Sequence, residues 1–233
     1  MPIKTFSYVS IPIGNPLDLT LRAQNTLKNC QVLLVEEIKP ARVLLKGLSI
    51  GFYEGEFQEE KQEVYLFRVD ENVDGEDLEY LRSTVFPGVE RAAYISGSGS
   101  PLFEDPGALL ESILSGFQIE RIPGLTSLSA LMMYFPAHMK RFSMEGFLPQ
   151  KSGKRRQELE RIKRGGVPAF LMETPYRRQR LLEELCEVLP TWNILLGYKL
   201  TMKEEKIFKG RISRVKSQMK TIPKGEFVLL IYP

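Results

Sequence analysis

A run of small residues, Ser96-Gly97-Ser98-Gly99-Ser100, follows a strand-like segment (Ala92, Ala93, Tyr94, Ile95) and is closed by Pro101. Without bulky side chains, the backbone there can approach a ligand closely and offer it N–H groups. Asp105-Pro106-Gly107 then reads as a helix start, with Asp105 as N-cap and Pro106 at the first helical position. Loops at the carboxyl ends of strands are where α/β proteins bind ligands. A plain surface turn would also use Gly and Ser, but the strand before and the capped helix after argue for a cradle. Its details exclude two nucleotide folds. No Lys-Ser or Lys-Thr pair follows the last Gly, as a P-loop needs. A dinucleotide fingerprint needs a third Gly and normally follows the first strand.

Other chemistries find little support. The single histidine, His138, lies between Pro136 and Lys140 in what reads as a loop, a poor place for a Ser-His-Asp or Cys-His engine. With one His and two distant cysteines, Cys30 and Cys186, no metal site is expected. Both cysteines sit in apolar sequence and are expected to be reduced, which with the lack of a signal peptide implies cytoplasm. No apolar run approaches the ~20 residues that span a bilayer. The net charge of +3 is unevenly spread. Residues 54–79 hold eleven acidic residues against Lys61 and Arg68, whereas 151–164 hold seven basic ones against Glu158 and Glu160. Such a basic segment can face phosphates, although a solvated helix face is the commoner use.

The elements that must position the loop follow from hydrophobic period and punctuation. Thr5 to Ile13 alternates as a first strand and ends in the rigid turn Pro12-Ile13-Gly14-Asn15-Pro16. Asp18 is expected to cap a helix carrying Leu19, Ala23 and Leu27. Val32–Val35 is a second strand, and a helix follows Pro40. Residues 51–75 carry no clear assignment, and 76–85 read as helix. Strands are expected at 119–122, 169–172, 193–201, 205–208 and 226–232, a strand or extended crossover at 143–148, and helices around Ala130, over 152–164, and on the Leu181, Leu185, Val188 stripe closed by Pro190. A first half alternating strand and helix implies a parallel sheet. The second half ends in hairpin-like strands. The fold class is therefore α/β, with two α/β domains, residues 1–118 and 119–233.

Four segments together resemble one family. They are Ile11-Pro-Ile-Gly-Asn-Pro-Leu-Asp-Leu-Thr-Leu-Arg-Ala23, Ser96 to Gly107, Glu145-Gly-Phe-Leu-Pro149 with Met172-Glu-Thr-Pro-Tyr-Arg177, and Lys224-Gly-Glu-Phe-Val-Leu229. They are similar to the ribosomal RNA small subunit methyltransferase I group of the tetrapyrrole methylase superfamily. The match covers most of the chain and keeps the motif order. Pro12-Ile13-Gly14-Asn15 stands where tetrapyrrole methylases proper carry Gly-x-Gly-x-Gly-Asp, which points to the ribosomal RNA group. The resemblance implies S-adenosylmethionine held in a cleft between two α/β domains, and a homodimer. By position it implies donor contacts at Gly97, Ser98, Gly99, Ser100 and Pro101, at Pro123, Gly124, Thr126 and Ser127, and at Gly225 and Glu226 in the Lys224-Gly225-Glu226 turn. Pro12, Gly14 and Asn15 would wall the cleft.

The chain also departs from the family pattern. Gly97-Ser98-Gly99-Ser100-Pro101 replaces the usual Asp-Ala-Gly-Thr-Pro, so a carboxylate is missing. Glu36-Glu37-Ile38-Lys39 replaces Glu-Asp-Thr-Arg, and Tyr198-Lys199-Leu200-Thr201-Met202 replaces Arg-Glu-Leu-Thr-Lys. The implied activity is methylation of ribosomal RNA at a ribose 2′-hydroxyl, whose proton must be removed or oriented. Glu36, Glu37 and Glu173 are the candidate carboxylates, each equally suited to capping a helix or pairing an ion. Lys151, Lys154, Arg155 and Arg156, with Arg177 and Arg178, are the candidate RNA contacts. Two other readings stay open: a related methylase of a small molecule or protein, and a cofactor-binding module without catalysis.

Overall fold

The computed structural model describes residues 3–101, 106–137 and 139–233, so Asp105 and His138 lie outside the described residues. The chain divides into two units, Met1–Thr126 and Ser127–Pro233. No helix among the described residues is long and apolar enough to cross a membrane.

The first unit contains β1 (Thr5–Val9), α1 (Leu21–Asn29), β2 (Val32–Val35), α2 (Ile38–Gly47), β3 (Phe52–Tyr53), β4 (Val64–Arg68), α3 (Gly75–Tyr80), β5 (Arg91–Ile95), a 3-10 helix (Pro106–Ile113) and β6 (Gln118–Ile122). Its sheet runs β3-β4-β2-β5-β1-β6, with every pairing parallel. A parallel sheet is covered on both faces, which is why Val32-Leu-Leu-Val35 is apolar throughout and wholly buried. On one face Phe6, Tyr8 and Tyr94 pack with Leu110, Ile113 and Leu114. On the other, Val9, Leu33 and Ile95 pack with Ala23 and Leu27 of α1 and Ala41 and Leu45 of α2. The connection from β1 towards β2 thus lays α1 on one face. That from β5 to β6 runs the opposite way and lays Pro106–Ile113 on the other. Strand order reverses between β5 and β1, and the crevice at their carboxyl ends is where open α/β sheets bind ligands.

Several boundaries differ from the sequence reading. The strand 118–122 pairs with β1 from Thr5↔Gln118 to Val9↔Ile122, which keeps it in the first unit; the division falls after Thr126 instead of after 118. β1 stops at Val9, and Ile11 bridges to Gly99 instead of prolonging the strand. Thr20, not Asp18, caps α1, its Oγ1 accepting from Ala23 N at 3.1 Å. Asp18 closes a short 3-10 turn that Asn15 opens by accepting from Leu17 N. α2 begins at Ile38, so Pro40 sits in its first turn, where a missing N–H leaves no bond unmade.

The second unit contains α4 (Ser127–Met132), β7 (Ser143–Phe147), α5 (Ser152–Gly165), β8 (Ala169–Glu173), α6 (Arg178–Val188), β9 (Asn193–Tyr198), β10 (Lys206–Arg211), α7 (Ile212–Met219) and β11 (Phe227–Tyr232). The sheet runs β10-β9-β11-β8-β7, antiparallel except for β7 with β8. Leu159 and Ile162 of α5, Leu181 and Leu185 of α6, and Ile212 and Val215 of α7 cover one face. β11 is flanked on both sides and buried along Phe227–Ile231, so its alternation does not correspond to one wet face.

Candidate active site

The loops after β1, β5 and β6 are tied to one another. Ile11 N donates to Gly99 O at 2.9 Å and Gly99 N to Ile11 O at 3.1 Å. Ser10 N donates to Ile122 O at 2.9 Å, and the Ser10 and Ser100 hydroxyls share a hydrogen bond of 2.8 Å. Ser96 Oγ donates to Ser98 O, folding the small-residue loop on itself. Gly99 has φ +71°, the left-handed region that glycine enters at little cost, and a Cβ there would stand 3.3 Å from Ile13 Cγ2. A Cβ on Gly124 would stand only 2.8 Å from Ser10 Cβ. Gly97 to Ser100, Pro12 to Asn15, and Pro123 to Thr126 are therefore neighbours at the strand-order reversal. Their glycines are required by close packing as well as by any ligand.

The loop after β2 joins this group through its carboxylates. Gly97 N donates to Glu36 Oε2 at 2.7 Å. A Cβ on Gly97 would come within 2.9 Å of Glu37 Oε1 and 3.5 Å of Glu36 Oε2. Glu36 and Glu37 thus crowd the place beside residue 97. With Asp70, Glu71 and Leu109 they also line a cavity of about 670 Å³. Four carboxylates around one cavity make it a favourable place for a cation. Among the described residues, no group of His, Cys, Asp and Glu could hold a metal ion.

The third candidate carboxylate is placed differently. Glu173 ends β8 in the second unit, and its side chain is fully buried. Its Oε1 accepts from Thr174 N at 2.7 Å and from Arg177 Nε at 2.6 Å, while Oε2 is buried without a hydrogen-bond partner. These contacts describe an ion pair that holds the turn between β8 and α6. They also occupy Arg177, one of the candidate RNA contacts. In the same unit Gly225 lies so close to Tyr198 that a Cβ would meet the phenol oxygen at 2.7 Å. Glu226 precedes β11, and burial raises its carboxyl pKa. Ser127 begins α4.

Two of the expected RNA contacts are structural. Arg155 is 1 % exposed and grips Glu184 with Nε at 2.5 Å and Nη2 at 3.0 Å, while Nη1 donates to the carbonyls of Pro149 and Gln150. Arg178 is buried and donates to the carbonyls of Ile222 and Pro223 just beyond α7. Neither guanidinium can reach a phosphate. Arg156 pairs with Glu187, Arg161 with Glu145 and Glu158, and Lys163 with Glu160. Lys151, Lys154 and Arg164 are the basic residues of the segment left exposed and outside these pairs.

Sequence reasoning missed the turn after β9. Lys199 (φ 47°) and Thr201 (φ 66°) both hold left-handed backbone without being glycine. Such strain costs on the order of 1–3 kcal/mol per residue and gathers at functional sites. Glu205 secures the turn, accepting from Thr201 N and from the Tyr134 hydroxyl, each at 2.6 Å. No residue type there signals positive φ, so nothing in the sequence could have revealed it.

Known proteins match the chain along most of its length. The family model described as Tetrapyrrole (Corrin/Porphyrin) Methylases matches residues 5–216. A protein of Mycoplasmopsis pulmonis named ribosomal RNA small subunit methyltransferase I is 32% identical over 232 residues, 96% of each chain. The crystal structure of the methyltransferase CobJ superposes with a TM-score of 0.67 at 17% identity, covering 98% of this chain and 94% of that one. The Thermus thermophilus uroporphyrin-III C-methyltransferase in complex with S-adenosyl homocysteine superposes with a TM-score of 0.61 at 19% identity, covering 98% and 97%. The chain belongs to the tetrapyrrole methylase family, within it to the ribosomal RNA small subunit methyltransferase I group, and is a methyltransferase.

Proposed function

We propose that this methyltransferase uses S-adenosylmethionine to methylate RNA of the small ribosomal subunit at a ribose 2′-hydroxyl, acting in the cytoplasm as a homodimer. The observation that carries the reading is the small-residue cradle at the strand-order reversal of the first unit, on a chain 32% identical over its length to a ribosomal RNA methyltransferase. The cradle suits the donor because glycine at 97, 99 and 124 and serine at 98 and 100 keep side-chain bulk out of it; the N–H of Gly97, both backbone polar groups of Gly99 and the carbonyl of Ser98 are spent on holding the loops together. Glu36 and Glu37 supply negative charge that favours a cationic ligand. When bound, S-adenosylmethionine supplies a sulfonium methyl group, already activated for transfer to a nucleophile.

The residues then have to align and deprotonate. Alignment is the larger effect, since well-oriented groups reach effective molarities of ~10⁵–10⁸ M, whereas general-base help contributes ~10²–10⁴-fold. Gly97 to Pro101, Pro12 to Asn15, and Pro123 to Thr126 hold the donor, and Glu36 or Glu37 orients the hydroxyl and takes its proton. Glu173 is left with a structural role. Donor contacts at Ser127, Gly225 and Glu226 belong to the second unit and rest on the resemblance alone. Mapping methylated riboses in small-subunit RNA from a deletion strain and its complemented parent tests the substrate. One ribose methylated only in the complemented strain supports it; identical maps favour a small-molecule or protein acceptor.

A further inference from the structure

With much of α5's basic charge neutralised, a different surface is free to meet phosphates. From Lys206 to Lys224 the chain carries seven basic residues and no acidic one. Lys206, Lys209, Arg211, Arg214, Lys220 and Lys224 are exposed and Lys216 is half-buried. Among the described residues none of the seven is within ion-pair distance of a carboxylate.

The fold gathers these charges on two successive elements. β10 is an edge strand, bonded to β9 alone, so both its faces reach the rim of the sheet. Lys206 to Arg211 spans roughly 16 Å at ~3.3 Å per residue, a length comparable with several phosphates at ~3.4 Å of rise along one duplex strand. α7 follows without a break and buries Ile212, Val215 and Met219, which turns Arg214 and Lys220 outward. A Cβ on Gly210 would lie 4.0 Å from Arg214 Cδ, so Arg214 lies against the face of β10 that also carries Lys206, whereas Lys209 and Arg211 alternate onto the other face and the two sets of charge meet along the open edge of the strand.

We propose that the open edge formed by β10 and α7, through Lys206, Lys209, Arg211, Arg214 and Lys220, is the RNA-phosphate-binding surface of this protein. The proposal rests on RNA being the substrate. Lysines on an edge strand also prevent strand-to-strand aggregation, which accounts for Lys206 and Lys209. It does not account for Arg214, Lys216 and Lys220, which lie on a helix.

The test compares two triple variants of the full-length protein, Lys206→Gln/Lys209→Gln/Arg214→Gln and Lys151→Gln/Lys154→Gln/Arg164→Gln, binding naked small-subunit ribosomal RNA between 50 and 200 mM salt. Unchanged urea midpoints establish that both fold. The expected result is that the first variant lowers the slope of log K against log salt by roughly 2 to 3, at ~0.7–0.9 per lost contact, while the second leaves it near native. A first-variant slope that stays near native, whatever the second does, or one lowered equally by both variants, overturns the proposal while leaving RNA as substrate. A native protein that shows no salt-dependent RNA binding overturns the substrate reading, and this surface with it.

Discussion

The backbone N–H of Gly97 donates to Oε2 of Glu36 across 2.7 Å, tying the loop after β5 to the end of β2. The space beside Gly97 is filled by carboxylate, with Glu37 Oε1 2.9 Å from where a Cβ would stand. An aspartate there would crowd a third negative charge against two others, and like charges at that range disfavour ionisation. Gly97→Asp is therefore expected to weaken S-adenosylmethionine binding by on the order of tenfold, ~1.4 kcal/mol, as read by calorimetry. A variant more active than the native chain would show instead that the native loop has lost a needed carboxylate.

Gly99→Val tests the cradle itself. Valine at φ +71° beside Ile13 meets both backbone strain and a side-chain contact. The strain is ~1–3 kcal/mol, within the ~5–15 kcal/mol by which typical domains are stable. Circular dichroism should show a folded protein and calorimetry no donor binding. Native affinity in a folded variant would remove this loop from the donor site.

Glu36→Gln separates catalysis from binding. The amide oxygen can still accept from Gly97 N, but the side chain can no longer take a proton. Single-turnover rates should fall by ~10²–10⁴-fold with donor affinity changed by only a few-fold. Glu173→Gln should instead lower the unfolding midpoint, because the change leaves Arg177 without its ion-pair partner. A Glu36→Gln rate within about twofold of native would exclude Glu36 as the base.

Arg155 and Glu184 form a pair that is 1 % and 3 % exposed, and Arg155→Met should cost up to ~3–5 kcal/mol by leaving Glu184 with only Ser152 and the longer contacts to Arg180 (3.6 Å) and Arg156 (4.0 Å). Burial pushes the Glu184 carboxyl up, but Arg155, Ser152 and Arg156 outweigh it and hold it below the ordinary carboxylate range. With the folded value below the unfolded one, this stabilisation is complete above the ordinary carboxylate pKa and is lost as pH falls through the depressed value. Urea midpoints should decline on acidification, less steeply in Glu184→Gln than in the native protein. Parallel declines would place the acid sensitivity elsewhere.

The scaffold was legible where the sequence has an unambiguous period or a rigid residue. Val32–Val35, the Leu181–Leu185–Val188 stripe and the Ala92–Ile95 strand with its small-residue loop all fold as their patterns dictate. β3 and β4 were hidden because acidic residues surround two short pairing segments, and α7 because its Ser, Arg and Lys residues mask three buried apolar positions. Arg155 and Arg178 misled for a different reason. A charge on a helix looks solvated until its partner is known, and Glu184 lies 29 residues from Arg155. The nearness of Glu36 and Glu37 to Gly97 is likewise a product of β2 pairing with β5, which local sequence does not encode.

Transfer of label from S-adenosylmethionine to immature small ribosomal subunits tests the central claim most directly. The native protein, incubated with methyl-labelled donor and subunits from a deletion strain, should place label in RNA, and nuclease digestion should recover it on one 2′-O-methylated nucleoside. Donor bound tightly with no label in subunits or in free small-subunit RNA would contradict the account.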